Sequence, residues 1–166
     1  MRNSFTTERL SLYPLTLNEA DFILELVNTP GWIKFIGDRK VNNFNDARSY
    51  IKKIRKNPGI KYWVVKLKKE EVAIGIVTLI KREYLAYHDI GFAFLPGHAK
   101  MGYAIEAASA LLSYVKKEYE LDQLLATTVK DNTNSINLLN KLGFEFDREI
   151  VIDNQCLLVY SLEIEE

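Results

Sequence analysis

The most informative part of the chain is residues 88–103, which read HDIGFAFLPGHAKMGY. Residues 89–95 have the composition of a strand, and a turn follows them. From residue 102 to about residue 119, the apolar residues recur at the three- and four-residue spacing of a helix. The segment therefore predicts a strand that leads through a turn into a long helix.

The entry to this helix has the features of a diphosphate-binding turn. Backbone N–H groups at a helix N-terminus have no partner within the helix, and the helix dipole adds a positive potential there. Gly102 lacks the Cβ that would block a phosphate, and Lys100 adds a mobile cation. A glycine that only turns a strand into a helix would read the same, so the segment by itself leaves both interpretations open. It matches neither a Walker loop nor a dinucleotide fingerprint.

The rest of the chain predicts a mixed sheet with helices packed on it. Seven strand patterns occur, at residues 9–15, 62–67, 72–80, 89–95, 121–129, 144–152 and 155–163. Asn18 and Asn45 are predicted N-caps of two early helices, and residues 135–142 predict a short helix that Gly143 ends. Residues 31–44, rich in Gly, Asn and aromatics, predict a long loop with at most one helical turn.

Length, charge and cysteine content favour one intracellular domain over residues 1–166. The chain has 22 Lys+Arg and 22 Asp+Glu, so it lacks the basic excess of nucleic-acid-binding proteins. Its single cysteine, Cys156, fits the reducing cytoplasm. The N-terminus lacks a signal-peptide core, and the longest apolar run, residues 72–80, is too short to span a membrane. Two histidines and one cysteine cannot make a zinc site, so no metal is expected.

A second segment, residues 132–144, reads NTNSINLLNKLGF. Together with GYAIEA at residues 102–107, it resembles the GNAT acetyltransferase superfamily. The nearest branch is the one that acetylates the N-termini of ribosomal proteins, whose opening and central strand are similar to residues 7–10 and 90–96. The resemblance covers essentially the whole chain and is weakest at residues 31–44. It implies an α/β (α+β) fold whose mostly antiparallel central sheet of about seven strands is flanked by helices and splayed between strands 4 and 5.

The resemblance also implies acetyl-CoA as cosubstrate and an amine as acceptor. In the family the pantetheine arm lies between the splayed strands and the pyrophosphate lies on the amides of the following turn. The residues expected to bind the cofactor are therefore Phe94, Leu95, Lys100, Met101, Gly102, Tyr103, Ala104, Asn132 and Ser135. Among these, Asn132 is expected to contact the arm from the far side, and Ser135 lies where the family places a hydroxyl near the sulfur.

The sequence departs from the family pattern at two positions. Ala99 stands where the pyrophosphate loop often begins with Arg or Gln, and Leu139 stands where many members have a tyrosine that protonates the thiolate. Ser135 is the nearest substitute for that proton donor, although a helix N-cap has the same sequence signature. Asp89 and His88, on opposite faces of the strand, are the candidate general bases. Asp89 is the expected one, with an exposed charge at a strand edge as the alternative. Glu106, in the first turn of the long helix, reads as an acid favoured by the helix dipole.

These residues predict an N-acetyltransferase that transfers acetyl from acetyl-CoA to a primary amine by direct attack. Because no strong base is evident, the expected acceptor is a protein or peptide N-terminal α-amine, whose pKa near 8 leaves roughly a tenth of it neutral at pH 7. A small-molecule amine (a polyamine, amino acid or antibiotic) is an alternative acceptor, and a catalytically silent acyl-CoA-binding module is an alternative function. Either a monomer or a homodimer is compatible with the sequence, with no nucleic-acid or membrane partner.

Overall fold

The computed structural model describes residues 3–165, which form one eight-stranded sheet in the order β1-β2-β3-β4-β5-β6-β8-β7. The strands are β1 Phe5–Thr6, β2 Leu10–Pro14, β3 Ile60–Leu67, β4 Ala73–Ile80, β5 Asp89–Phe94, β6 Gln123–Thr128, β7 Glu145–Ile152 and β8 Gln155–Glu163. The helices are α1 Ala20–Leu26, α2 Pro30–Phe35, α3 Phe44–Lys56, α4 Tyr103–Glu118 and α5 Thr133–Lys141. Short 3-10 turns at Leu17–Glu19 and Pro96–His98 precede α1 and α4.

Every neighbouring strand pair is antiparallel except β5 and β6, which run parallel and meet at a single residue pair, Asp89 and Leu125. At that pair the Leu125 N–H donates to the His88 carbonyl over 2.9 Å. Beyond it the two strands no longer pair. The mixed, splayed sheet predicted from the sequence is thus confirmed, with one strand more than expected. Because β1 precedes the predicted first strand, the splay falls between β5 and β6.

Helices cover the two faces of the sheet, and each face has its own apolar core. On the first, the α4 face, Leu111 and Leu139 pack against β5 through Ile90 and its neighbours. On the second, the α3 face, Ile23 and Ile51 pack against the opposite side of the same strands. Since strand side chains alternate, residues of β5 divide between the two cores. Ile90, Phe92 and Phe94 lie on the α4 face, whereas Ala93 and the following Leu95 lie on the α3 face.

The predicted caps of the early helices are wrong by two residues each. Thr16, not Asn18, opens the first helical segment, and its hydroxyl accepts the N–H of Asn18 over 3.3 Å. Asn43, not Asn45, caps α3 and accepts the N–H of Asp46 over 2.8 Å. In both places several Asn and Thr residues could cap the helix. The cap that is used is the one from which the helix directs its apolar side chains toward the sheet.

The segment predicted as a long loop begins with the six-residue helix α2. The Thr29 hydroxyl caps α2, and Pro30 occupies its first turn. Proline is favoured there because its missing N–H would have no helical partner. The helix buries Trp32, which is 4% exposed, in the core of the α3 face.

No helix within residues 3–165 is both long enough and apolar enough to cross a membrane.

Gly75 provides a test of how tightly β4 and β5 pack beside the splay. It pairs with Phe94, and a Cβ at Gly75 would lie 2.7 Å from the Ala93 carbonyl oxygen and against the Phe94 ring. We expect Gly75→Ala to destabilise the protein by about 1–3 kcal/mol through this overpacking. The change corresponds to a fall in Tm of about 3–10 °C, measured by circular dichroism.

The matched control is Gly97→Ala, because a Cβ at Gly97 would have no atom within 4 Å. Its Tm should stay within about 2 °C of the wild-type value, as for most surface substitutions. Equal Tm values for the two variants would contradict the close packing described here.

Candidate active site

The gap between β5 and β6 exposes backbone hydrogen-bonding groups on the inner edge of β5. The Leu95 N–H donates to the Ile74 carbonyl of the neighbouring segment over 2.8 Å, which fixes Leu95 as a residue that bonds toward β4. Bonding direction alternates along an antiparallel strand. The N–H and C=O groups of Phe92 and Phe94 therefore point toward β6, where no strand pairs with them. Such an edge can bind an extended amide-bearing chain as an added strand.

The turn after β5 presents a row of backbone N–H groups at the start of α4. Lys100 and Gly102 both have left-handed backbone angles, with φ of 63° and 80°. Gly102 is the N-cap of α4 and provides no side-chain cap. Within residues 3–165, no acceptor hydrogen-bonds the backbone N–H groups from Lys100 to Ile105. These donors, at the positive end of a 16-residue helix, could hold a diphosphate.

Arg9, from the start of β2, braces this turn and was missed as a site residue by the sequence reasoning. Its Nη1 donates to the Met101 carbonyl over 3.0 Å, and its guanidinium lies 4.4 Å from the centre of the Tyr103 ring. A Cβ at Gly102 would lie 3.3 Å from its Nη2. The turn that has Ala99 in place of a basic residue thus receives a guanidinium from 90 residues away in sequence, counting from Arg9 to Ala99. The similarity of residues 7–10 to the family opening was the available signal.

Glu106 holds Arg9 in place. One carboxylate oxygen accepts the Arg9 Nε over 2.8 Å, and the other accepts the Thr7 hydroxyl and, over 3.1 Å, the Arg9 backbone N–H. Partial burial raises the pKa of Glu106, but the hydrogen bonds from Thr7 and Arg9 outweigh it and hold the pKa below its usual value. Both partners, Thr7 and Arg9, belong to the N-terminal segment, so Glu106 ties this segment to α4.

Asn132 and Ser135 lie in the first turn of α5 and have different roles there. The Asn132 Oδ1 accepts the Ser135 N–H over 3.2 Å, so Asn132 is the N-cap. The Ser135 hydroxyl is half-buried and, within residues 3–165, has no hydrogen-bond partner. It is therefore free to meet a ligand. Leu139, one turn later in α5, is 1% exposed and packs in the core of the α4 face. This position, where many family members have a tyrosine, therefore provides no proton donor.

Asp89 is a buried carboxylate at the closed end of the splay. It is 2% exposed, which rules out the alternative of an exposed charge at a strand edge. Its Oδ2 accepts Arg82 Nε over 2.8 Å and the Thr127 hydroxyl over 3.5 Å. Its Oδ1 is buried and has no partner within residues 3–165. Burial raises the pKa of Asp89 above its usual value, and the Arg82 and Thr127 contacts only partly offset this effect.

The two predicted catalytic residues lie on opposite faces of the sheet. Asp89 contacts Thr127, which alternates with the buried Ala126 of the α4-face core, so both Asp89 and Thr127 point to the α3 face. Ser135 belongs to α5, whose Ile136 and Leu139 pack in the core of the α4 face. The two residues therefore flank the β5–β6 opening rather than touching each other. A reactant in the opening is accessible to a base from one side and to a hydroxyl from the other.

Within residues 3–165, no three His, Cys, Asp or Glu side chains are grouped closely enough to hold a metal ion.

Comparison with known families gives a match over residues 9–145 to the family described as acetyltransferase (GNAT) domain. A curated relative, the uncharacterized N-acetyltransferase YnaD of Bacillus subtilis, is 30% identical over 140 residues, which are 83% of this chain and 80% of the relative. The matched region includes β5, the Gly102 turn and α5.

Solved structures of acetyltransferases share the fold. The GNAT-family acetyltransferase of Bacillus anthracis has a TM-score of 0.82 and 27% identity, covering 98% of this chain and 99% of its own. At 18% identity, two further structures superpose with TM-scores of 0.81. One is the spermidine N-acetyltransferase of Vibrio cholerae in complex with CoA and spermine, covering 95% and 97% of the two chains. The other is the ribosomal-protein-S5-alanine acetyltransferase of Vibrio fischeri, covering 98% and 97%.

The Glu106 brace predicts a pH-dependent stability. Because the pKa of Glu106 is lowered in the folded protein, the ionised form stabilises the fold above its unfolded pKa near 4.5. This contribution is lost as the pH falls through the folded pKa. We therefore expect Glu106→Gln to lower Tm by a few degrees at pH 7 and by less at pH 3, in thermal melts at both values.

Glu118→Gln, at the other end of α4, is the matched control and should give the same small Tm difference at both pH values. A Glu106→Gln deficit as large at pH 3 as at pH 7 would show that the carboxylate charge is not what ties Arg9 to α4.

Proposed function

The chain belongs to the GNAT acetyltransferase family, and from this premise we propose that its acceptor is the α-amine of a protein or peptide N-terminus. As a member of the family it is an N-acetyltransferase, which moves an acetyl group from acetyl-CoA to an amine. The observation that carries the proposal is the carboxylate of Asp89, buried beside the β5–β6 opening with one oxygen unpartnered.

In this proposal acetyl-CoA binds along the α4 face and reaches into the opening. Its pyrophosphate lies on the free amides of the turn, with Lys100, Met101, Gly102, Tyr103 and Ala104 around it. Its pantetheine amides pair with the inner edge of β5 at Phe92 and Phe94, with Leu95 beyond them. Asn132 and Ser135 approach the arm from α5. The unpaired N–H groups of the turn and the left-handed Gly102 support this assignment.

The chemistry requires one proton acceptor and one proton donor on opposite sides of the thioester. The amine attacks the carbonyl from the α3 face, and Asp89 takes its proton directly or through one water. Unpaired β5 backbone N–H groups stabilise the oxyanion. The thiolate leaves on the α4 face, where the free hydroxyl of Ser135 can protonate it. The separation of Asp89 and Ser135 across the sheet supports this division of roles.

An α-amine suits a site with a single carboxylate as base. With a pKa near 8, roughly a tenth of an N-terminal amine is neutral at pH 7, so a weak base suffices. A lysine side chain with a pKa near 10.4 needs about 4–5 kcal/mol of help with deprotonation. Within residues 3–165, Asp89 is the one acidic residue that is fully buried. A polyamine, the acceptor of one structural neighbour, is the competing substrate and would present several cations to this site.

Gly102→Val tests the proposed pyrophosphate site. Valine disfavours the left-handed φ of 80°, and its Cβ would lie 3.3 Å from Arg9 Nη2, which braces the turn. At 100-fold over Kd, acetyl-CoA should stabilise the wild type by about 2.7 kcal/mol, or roughly 5–10 °C in Tm. The variant should lose this shift while its circular dichroism spectrum stays native. NADH and ATP should shift neither protein.

Gly97→Ala, in the same turn but with open space around its Cβ, should keep the full acetyl-CoA shift. An undiminished shift in Gly102→Val would place the coenzyme elsewhere.

An acceptor panel tests the proposed substrate class. Release of free CoA thiol is followed with alanine- and serine-initiated peptides, the same peptides with blocked N-termini and one free lysine, and spermidine. We expect kcat/KM for the free N-termini to exceed that for lysine or spermidine by at least about tenfold at pH 7, since the pKa difference alone makes the neutral lysine amine some hundredfold scarcer. Faster turnover of spermidine or lysine would refute the α-amine assignment.

A further inference from the structure

The contacts of Asp89 are unevenly divided between its two oxygens. Arg82 Nε, at 2.8 Å, and the Thr127 hydroxyl, at 3.5 Å, both bind Oδ2. Oδ1 is equally buried and binds nothing within residues 3–165. A buried carboxylate oxygen without a partner is costly, so an atom in this state usually has a functional partner.

The connection between β4 and β5 is built to hold Arg82 in this position. Lys81 Nζ donates to the carbonyls of Leu85 and Ala86 over 2.7 and 3.0 Å, which closes the connection on itself. Leu85 is 3% exposed and packs with Leu125 and with Val159 of β8. Through Leu85, the connection that carries Arg82 is therefore anchored to β6, the strand that carries Thr127.

The sheet surface next to Asp89 on the α3 face is polar. Gly91 lies two residues after Asp89 and so on the same face of β5. A Cβ at Gly91 would lie 2.7 Å from the Thr78 hydroxyl, so glycine lets this hydroxyl lie directly against the β5 backbone. The Tyr62 and Thr78 pair continues the same row across β3 and β4, with the Tyr62 hydroxyl 3.3 Å from that of Tyr50. Tyr62 and Thr78 therefore make the sheet surface beside Gly91 polar.

We infer that Arg82 is a positioning residue of acetyl transfer: together with Thr127 it occupies Oδ2 of Asp89 and leaves Oδ1 as the atom that accepts the proton of the amine. This inference rests on the proposed role of Asp89 as base. Arg82 does not touch the reactants and acts through the carboxylate, whose orientation and charge it maintains. Thr127 has the same role with a longer contact.

The step that Arg82 supports is balanced without a further reactant. The amine nitrogen forms a bond to the thioester carbonyl carbon, and one N–H proton passes to Asp89 Oδ1. The carbon–sulfur bond then breaks with both electrons going to sulfur. The thiolate takes the proton of the Ser135 hydroxyl, Asp89 releases its proton to solvent, and solvent returns a proton to Ser135. The products are the N-acetyl amine and CoA thiol.

The charges around Asp89 are few. Arg82 is the cation in contact with it, and Thr127 is neutral. Burial lowers the pKa of Arg82, but Asp89 outweighs this and keeps Arg82 charged. Burial raises the pKa of Tyr62, which stays neutral beside Arg82. His88 is adjacent in sequence but makes an edge-to-face contact with Tyr119, on the α4 face. Removal of Arg82 therefore leaves Asp89 without a countercharge.

The test is the ratio of kcat/KM of Arg82→Gln to that of wild type, measured from pH 5 to 9 with acetyl-CoA and the best amine of the acceptor panel. The titration of the amine is common to both enzymes and cancels in this ratio. Loss of a contacting opposite charge raises the pKa of a carboxyl group by about one to three units. Because Arg82 is partly exposed, we expect one unit, so the ratio should fall about tenfold between the alkaline and acid ends.

Two variants separate this role from simple damage to the fold. Arg82→Lys keeps the charge, so its ratio of kcat/KM to that of wild type should vary by less than about threefold between pH 5 and 9. Arg148→Gln removes an arginine that also pairs with a carboxylate, Asp147, but on β7 far along the sheet, and should leave the ratio flat. Titration of the Asp89 carboxyl carbon by NMR should show the same upward shift in Arg82→Gln without any turnover.

Asp89→Asn distinguishes failure of this inference from failure of the proposed mechanism. It should lower kcat/KM by about 10²- to 10⁴-fold, as for loss of a general base. If it keeps the wild-type rate, or if no amine of the panel is acetylated, the role of Asp89 fails and that of Arg82 fails with it. If Asp89→Asn loses the rate but the Arg82→Gln ratio is the same at every pH, only the positioning role is overturned.

Discussion

The architecture depends on one constraint: β5 and β6 are joined by a single parallel residue pair, Asp89 with Leu125. If they paired along their whole length, the inner edge of β5 would be satisfied and the sheet would be continuous. Because they separate, the backbone groups of Phe92 and Phe94 lack strand partners. Unpaired backbone groups away from water are expensive, so such a gap persists when a ligand can complete the sheet.

The same pair determines where the ionisable groups lie. Asp89 is the last residue before the strands part, so its carboxylate is buried by the closed end of the sheet and yet borders the opening. Alternation of side chains then directs it to the α3 face, while α5 carries Ser135 on the α4 face. Arg82 partly offsets the cost of this burial, and the carboxylate stays close to the opening in which we propose that the amine is deprotonated.

The turn that begins α4 shows how a local deficiency is met by a distant residue. The chain has Ala99 where a basic side chain is common, and Lys100 provides only a compact point charge. Arg9, fixed by Glu106 and stacked on Tyr103, brings a guanidinium to the same turn. Two contacts bring the N-terminal segment to this turn. β2 pairs with β3 in the sheet, and Arg9 bonds to the Met101 carbonyl just before α4.

The sequence by itself determined most of the strands and helices and the glycine turn before α4, because these depend on local periodicity and on one residue type at one position, whereas the splay was expected from the resemblance to the GNAT superfamily. It misplaced the caps at Asn18 and Asn45 and missed α2, where several polar residues compete and burial of Trp32 decides. The tertiary structure alone decided that Asp89 is buried with one free oxygen and that Arg9 and Arg82 reach the site. These contacts join residues that are distant in sequence or on separate elements, and only the packing of the sheet brings their atoms together.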